Sequence, residues 1–375
     1  TTMADSGSAL APHIRLAQVV LPSADLAADL RFFTERLGFK VNLIMPADAP
    51  TLAVINGHGL MLRLEARKDA AKTPPLALRL ICDLKALPAD TPRELTAPGG
   101  TRVTLVDAQA ALEIPAGTNE FVLTRMTDQW GVGRAGMQYR DLVPSRLGGR
   151  FIASHIRIPG GGPVPDYVHF HKVRFQMIFC KAGWVKVAYE DQGEPFVLEA
   201  GDCVLQPPEI RHRVLESSPG LEVIEIGCPA VHETFADQVM ALPTGRTLPD
   251  RDYGGQRFVR HIAKQAHWQP WGTLGGGPNF EARDIGIEAA TDGLAGVRVV
   301  RARNRAATKQ RAHGGEFNFL FVLAGELTLR HAEFGQHQLA AGDSCVLPAG
   351  SPYALNAEAG LEMLEVTLPA QLPEA

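Results

Sequence analysis

No Cys-x-x-Cys pair occurs in this chain, and its five cysteines (Cys82, Cys180, Cys203, Cys228, Cys345) are an odd number set mostly inside apolar runs. That excludes a zinc-ribbon framework and speaks against a disulfide-stapled fold, so reduced core thiols and a cytoplasmic location are expected. No apolar run reaches the length of a membrane-spanning helix, and the N-terminus lacks a basic segment followed by an apolar one. Neither a membrane partner nor a secretory signal is therefore expected. An excess of positive charge is missing too: the formal net charge is −4. Without a broad phosphate-binding surface, nucleic acid is not an expected partner. The triplets Gly160-Gly161-Gly162 and Gly275-Gly276-Gly277 have no Lys-Ser/Thr and helix behind them. They read as turns and not as phosphate-cradling loops.

What remains is an ordinary soluble composition, 45% hydrophobic and 21% charged, over 375 residues. That length leaves room for two or three cores. Residues 1–12 are expected to be a flexible leader. From Ile14 the pattern runs strand (Leu16 to Leu21), helix, then strands at Lys40–Met45, Thr51–Ile55 and Leu60–Ala66. Leu26, Leu30, Phe33 and Leu37 recur at helical spacing, Ser23 or Asp25 is placed to cap the helix, and Gly38 ends it. This order, with Phe32-Phe33 and Gly38-Phe39, resembles one module of the vicinal-oxygen-chelate (glyoxalase-like) superfamily. In that family the first strand contributes a His and the last a Glu to a metal. Here Gln18 and Glu65 stand near those positions, so a metal-free α+β module over 13–118 is expected. Leu76–Asp107 adds further strand-like runs.

An internal repeat dominates the rest. Tyr139-Arg140-Asp141-Leu142 is echoed by Ala282-Arg283-Asp284-Ile285, and Ala200-Gly201-Asp202 by Ala341-Gly342-Asp343. Cys203-Val204-Leu205-Gln206-Pro207 returns as Cys345-Val346-Leu347-Pro348. Each unit is a string of short alternating strands cut by Gly/Pro turns, the pattern of an all-β barrel or jelly roll. Two such units are expected, 119–232 and 256–370, joined by a crossing linker over 233–255. The fold class is mainly β.

The first unit carries the chemistry. His169 and His171 are two apart on a strand and so face one way. His212 returns after glycine turns, and three imidazoles with the Gln176 amide make a cage for a divalent transition metal. The spacing His169-x-His171-x4-Gln176-x6-Gly183, then Gly201-x5-Pro207-x4-His212, resembles the paired motifs of the cupins, with Gln176 where the family has Glu and Glu209 where it has Gly. Two copies in tandem resemble a bicupin of the quercetinase dioxygenase type. Gln176 is expected either to ligate through its oxygen or to hold a metal-bound water.

Sliding the motif onto the second unit puts Arg311, His313, Asn318 and Tyr353 at the four ligand positions. Arginine would repel a cation. That unit is expected to be metal-free, with a structural or dimer-forming role, or to hold a small anion pocket. One metal ion per chain follows, iron first, with manganese, nickel and zinc open, and a homodimer is expected.

Around the metal, His155 and Arg157 share one face of their strand, and Tyr167 precedes His169 by two. These three are the catalytic candidates, as proton acceptors and anion partners. Arg174 is the substrate-binding candidate, holding a carboxylate or enolate, the alternative for both arginines being rim salt bridges. His232, His261 and His267 have no recognised partner and read as surface or linker residues. The resemblance implies a dioxygenase acting on a small enolisable or phenolic substrate. A metal-dependent isomerase or lyase and a non-catalytic small-molecule sensor are the other readings of the same site.

Overall fold

The computed structural model describes residues 15–46, 49–70, 76–133, 136–272 and 277–375. The expected leader and Gly275-Gly276 lie outside them. Two compact units divide the chain, 1–111 and 112–375.

In the first unit the strand Val19–Ser23 leads into a helix, Leu26–Arg31, which continues as a π-turn over Phe32–Arg36. Asp25 caps it, accepting the Ala28 N–H at 3.0 Å, while the Ser23 hydroxyl instead donates to the buried Asp29 carboxylate. Strands Lys40–Met45, Leu52–Gly57 and Leu60–Ala66 follow. The last of them pairs with Val19–Ser23 in parallel and with Leu52–Gly57 antiparallel, closing a four-stranded βαβββ sheet. Phe33, Ile55 and Leu62 fill its core. Glu65 is held by Arg63 at 2.6 Å and Arg67 at 3.0 Å. A three-stranded sheet, Ala77–Cys82, Arg102–Asp107 and Glu94–Thr96, completes the unit.

The second unit is two barrels, each a pair of sheets. In the first barrel a seven-stranded sheet carries Gln138–Asp141, Ile152–Ile158, Leu221–Cys228, Phe175–Ala182 and Cys203–Leu205 side by side. Its partner sheet holds Phe196–Glu199, Trp184–Tyr189, His212–Ser217, His169–His171 and Thr234–Ala236. The second barrel repeats the plan, with Phe317–Ala324 between Glu362–Leu368 and Ser344–Val346.

The barrels exchange edges. Val122–Thr124, which precedes the first barrel, pairs with Ser344–Val346 of the second. Val259–His261, which precedes the second, pairs with Cys203–Leu205 of the first. The larger sheets pack against each other through one continuous core that includes Phe151, Phe175, Phe179, Phe317 and Phe321. Consequently these strands are buried on both faces, one toward the other barrel and one toward their own interior. The stretch expected to be only a linker also carries structure: Thr234–Ala236 lies antiparallel to the histidine strand.

Candidate metal centre

Side chains alternate across each strand, so the choice of face decides everything here. On Leu221–Cys228, Ile224 and Ile226 enter the inter-barrel core, while Leu221, Val223 and Glu225 line a cavity of about 280 Å³ inside the first barrel. The cavity's walls are largely aliphatic, with Ile156, Ile178, Val185 and Leu198 among them.

At one place its lining is histidine. His169 and His171 project from one strand, and His212 is the register partner of His169 on the next. Ring centroids lie 5.2 Å apart for His169 and His171, 4.2 Å for His169 and His212, and 5.2 Å for His171 and His212. One ligand nitrogen from each falls within 4.8 Å of the others. The local chain fixes two of the three tautomers. His169 Nδ1–H donates to the Tyr167 carbonyl at 2.7 Å and His212 Nδ1–H to the Ile210 carbonyl at 2.9 Å. His171 Nδ1 shares a 3.1 Å hydrogen bond with the Thr234 hydroxyl. With Nδ1 engaged outward, Nε2 of each ring is the nitrogen presented to the centre. Behind His169, a carboxylate oxygen of buried Asp166 lies 3.5 Å from Nδ1, while the other accepts the Val214 N–H at 2.9 Å. Imidazoles oriented by carbonyl, hydroxyl and carboxylate partners are what a divalent transition metal requires of its ligands. The residues present fit such an ion.

Gln176 is buried on its strand, its carbonyl accepting the Gln206 N–H at 2.9 Å, but it is not part of the cavity lining. Three residues that motif spacing passed over are. His232 packs edge-on against His171 at 5.3 Å, correcting its reading as a surface or linker residue. Tyr189 stacks on His212 at 5.6 Å and donates its hydroxyl to Gln206 Oε1 at 2.5 Å. Gln206 is 1% exposed, and its Nε2 has no hydrogen-bond partner among the described residues. His232 Nδ1–H donates to the Pro229 carbonyl at 2.8 Å, which holds its ring beside His171.

The other candidates fall elsewhere. Expected to face the cavity, His155 and Arg157 lie on the opposite side of their strand from Ile156 and Ile158, which do line it. His155 is fully buried between the Arg140 guanidinium, at 2.9 Å from Nδ1, and Glu222, at 2.7 Å from Nε2, with its edge on Phe321 of the second barrel. Burial pushes its pKa down, and its hydrogen bond holds the Glu222 carboxyl at about 2. Arg157 lies over the Trp130 ring at 4.1 Å and donates to Gln138. The physical reason for the misplacement is that both faces of Ile152–Ile158 are covered, so alternation carries no inside-outside sign. Arg174 is an interface residue, paired at 2.8 Å with Glu316 of the second barrel. Tyr167 is 46% exposed and meets the edge of His169 at 5.9 Å, outside the cavity lining.

In the second barrel both nitrogens of His313 are used. Nε2–H donates to the Leu347 carbonyl at 2.8 Å and Nδ1 accepts the Gly315 N–H at 3.1 Å, leaving no lone pair for a metal. Asn318 donates to the Tyr353 hydroxyl at 3.1 Å, and Leu327, Leu329, Leu355 and Met363 pack the interior. Arg311 and Tyr353 exchange backbone hydrogen bonds at 3.0 and 2.9 Å, and the Tyr353 ring stands edge-on to His313 at 6.4 Å.

No family model matches this chain, and no curated protein sequence matches it. Solved structures do resemble it. Salicylate 1,2-dioxygenase from Pseudaminobacter salicylatoxidans aligns with a TM-score of 0.50 at 16% identity, over 68% of this chain and 86% of that one. Oxalate decarboxylase from Lactobacillus farciminis aligns at 0.49 and 15%, over 69% and 89%. No helix among the described residues is long and apolar enough to cross a membrane. Likeness at such identities is likeness of fold, and the fold is the two-barrel cupin jelly roll.

Proposed function

We propose that the first barrel is the active site of a metal-dependent dioxygenase, with iron the first choice of metal and a small enolisable or phenolic compound as substrate. The observation that carries this is the set of three clustered histidines, two with tautomers fixed by backbone carbonyls, opening onto a mostly apolar cavity of about 280 Å³. A divalent metal held by His169, His171 and His212 would supply Lewis acidity and, as iron, a site for oxygen. The chain's own groups do the rest. Ile156, Val185 and Leu198 take the flat apolar body of the substrate and exclude water. The Gln206 amide, fixed by Tyr189 and carrying a buried Nε2 without a partner, donates to a substrate oxygen. A buried donor gains about 1–3 kcal/mol when satisfied, so this oxygen is selected for.

Anaerobic loading with Fe(II), then admission of oxygen with catechols, enols and 1,3-diketones in an oxygen electrode, tests the reading. Oxygen consumption that depends on both metal and substrate is expected. Turnover that persists under strict anaerobiosis would replace it with an isomerase or lyase. Tight binding without product would replace it with a sensor.

A further inference from the structure

In each barrel the chain doubles back beside the segment that carries the first two ligand positions. After Cys228-Pro229 it runs to Thr234, the antiparallel register partner of His171. After Leu368-Pro369 a run of equal length leads to Glu374, which bridges His313 in the same antiparallel sense. The two turns are tied down alike, with the Ala230 N–H on the Gly149 carbonyl and the Ala370 N–H on the Gly293 carbonyl, each at 3.0 Å. Past its turn, the first segment is clamped on the outer face of the sheet. The Phe235 ring stacks on Phe170 at 5.1 Å, with Lys172 over Phe235 and Arg211 over Phe170. Asp237 then pairs with Arg211 at 3.2 Å. Since side chains alternate across a strand, Thr234 is left on the opposite face, against His171 and lining the cavity.

What differs between the repeats is the sense of the hydrogen bond at Nδ1 of the paired histidine. A neutral imidazole carries one N–H and one lone pair, so the role of Nδ1 dictates the opposite role for Nε2. His313 Nδ1 accepts the Gly315 N–H, which puts the ring's proton on Nε2, where the Leu347 carbonyl takes it. At His169 and His212 Nδ1 meets a carbonyl, which can only accept, so Nε2 keeps its lone pair. At His171 the partner is a hydroxyl, able to donate or to accept. We propose that Thr234 positions His171 as a metal ligand, its hydroxyl accepting from Nδ1–H and turning its own proton to solvent, to which this residue is exposed. The inference rests on the metal reading above. Reversing the same hydrogen bond puts a proton on Nε2 and removes the third ligand. One side chain outside the ligand set thus decides whether the cage closes.

Zn(II) affinity of the full chain, measured by competition with a chromophoric chelator, tests this without any substrate. Thr234→Val keeps the branched shape and loses the hydroxyl, and is expected to bind zinc about 10–100-fold more weakly than the unaltered chain. Thr234→Ser returns the hydroxyl and should recover most of that loss. Thr234→Ala repeats the deletion should the valine variant not fold, which circular dichroism checks. In the metal-free chain carrying isotope-labelled histidine, long-range nitrogen–proton spectra read which nitrogen of each ring is protonated, and His171→Ala identifies the His171 signals. With no hydroxyl to receive it, the Nδ1 proton of His171 should be depleted in Thr234→Val, while His169 and His212 keep theirs. If Thr234→Val, or in its place Thr234→Ala, binds zinc within twofold of the unaltered chain while His171→Ala binds none, the metal site stands without Thr234. A serine variant as weak as the valine one, or a His171 ring protonated alike with and without the hydroxyl, would reduce the contact to one of shape and overturn the proposal. If the unaltered chain binds no better than His171→Ala, the metal reading fails and this inference falls with it.

Discussion

Glu209 shows how one residue reports on both strain and descent. It has φ 62°, a left-handed conformation, and its N–H donates to the His171 carbonyl at 3.0 Å. In the second barrel Gly350 holds the same place, with φ 80° and its N–H on the His313 carbonyl at 2.8 Å. A side chain in that region costs about 1–2 kcal/mol, which glycine avoids. Glu209→Gly is therefore expected to stabilise the protein by about 1 kcal/mol in urea unfolding, without moving the histidines. His155 sets a pH dependence of definite sign. Burial lowers its pKa from 6.5, so the folded state keeps it neutral while the unfolded chain takes up a proton below pH 6.5. Its stabilisation is present above that pH and lost as pH falls. Glu222, depressed from 4.5 to about 2, adds a second loss below pH 4.5. Urea midpoints followed from pH 7 to 5 should fall, and in His155→Gln the slope should be shallower by about one proton, near 1.4 kcal/mol per pH unit.

At the scale of elements, the exchanged edge strands and the shared aromatic core join the barrels. The Phe151 ring stacks on Phe317 of the other barrel with centroids 4.1 Å apart, and both are buried. Arg150 and Arg174 of the first barrel converge on Glu316 of the second. The strand Val259–His261 also gives a use to His261, which accepts from Arg283 at 2.8 Å. Phe151→Ala should cost about 3–5 kcal/mol, as for a large buried aromatic. Fluorescence and circular dichroism are expected to report one coincident, lowered transition for both barrels; two separated transitions would show that they fold independently.

For the whole molecule the expected outcome is one transition-metal ion per chain by elemental analysis after reloading, and none in His171→Ala. The barrel buries its own core and does not need the ion to fold, so that variant should keep its circular dichroism spectrum. Two ions per chain would contradict the account of the second barrel, where backbone groups occupy both nitrogens of His313.

Much of this was legible in one dimension. Strands Lys40–Met45 and Leu60–Ala66 match the bounds read from the sequence, and along the second the burial alternates with the pleat. The repeat announced two barrels, and His169, His171 and His212 announced their cluster, because motif spacing encodes strand register. Register alone could not say which face of Ile152–Ile158 meets the cavity. Both faces are buried by an interface between segments far apart in sequence, so alternation alone puts His155 and Arg157 in a pocket they do not enter, while Arg174 meets Glu316 across that interface. Nor could spacing bring His232, Gln206 and Glu225 to the site. Their places depend on how the returning strands close the barrel, and closure is decided by packing in three dimensions.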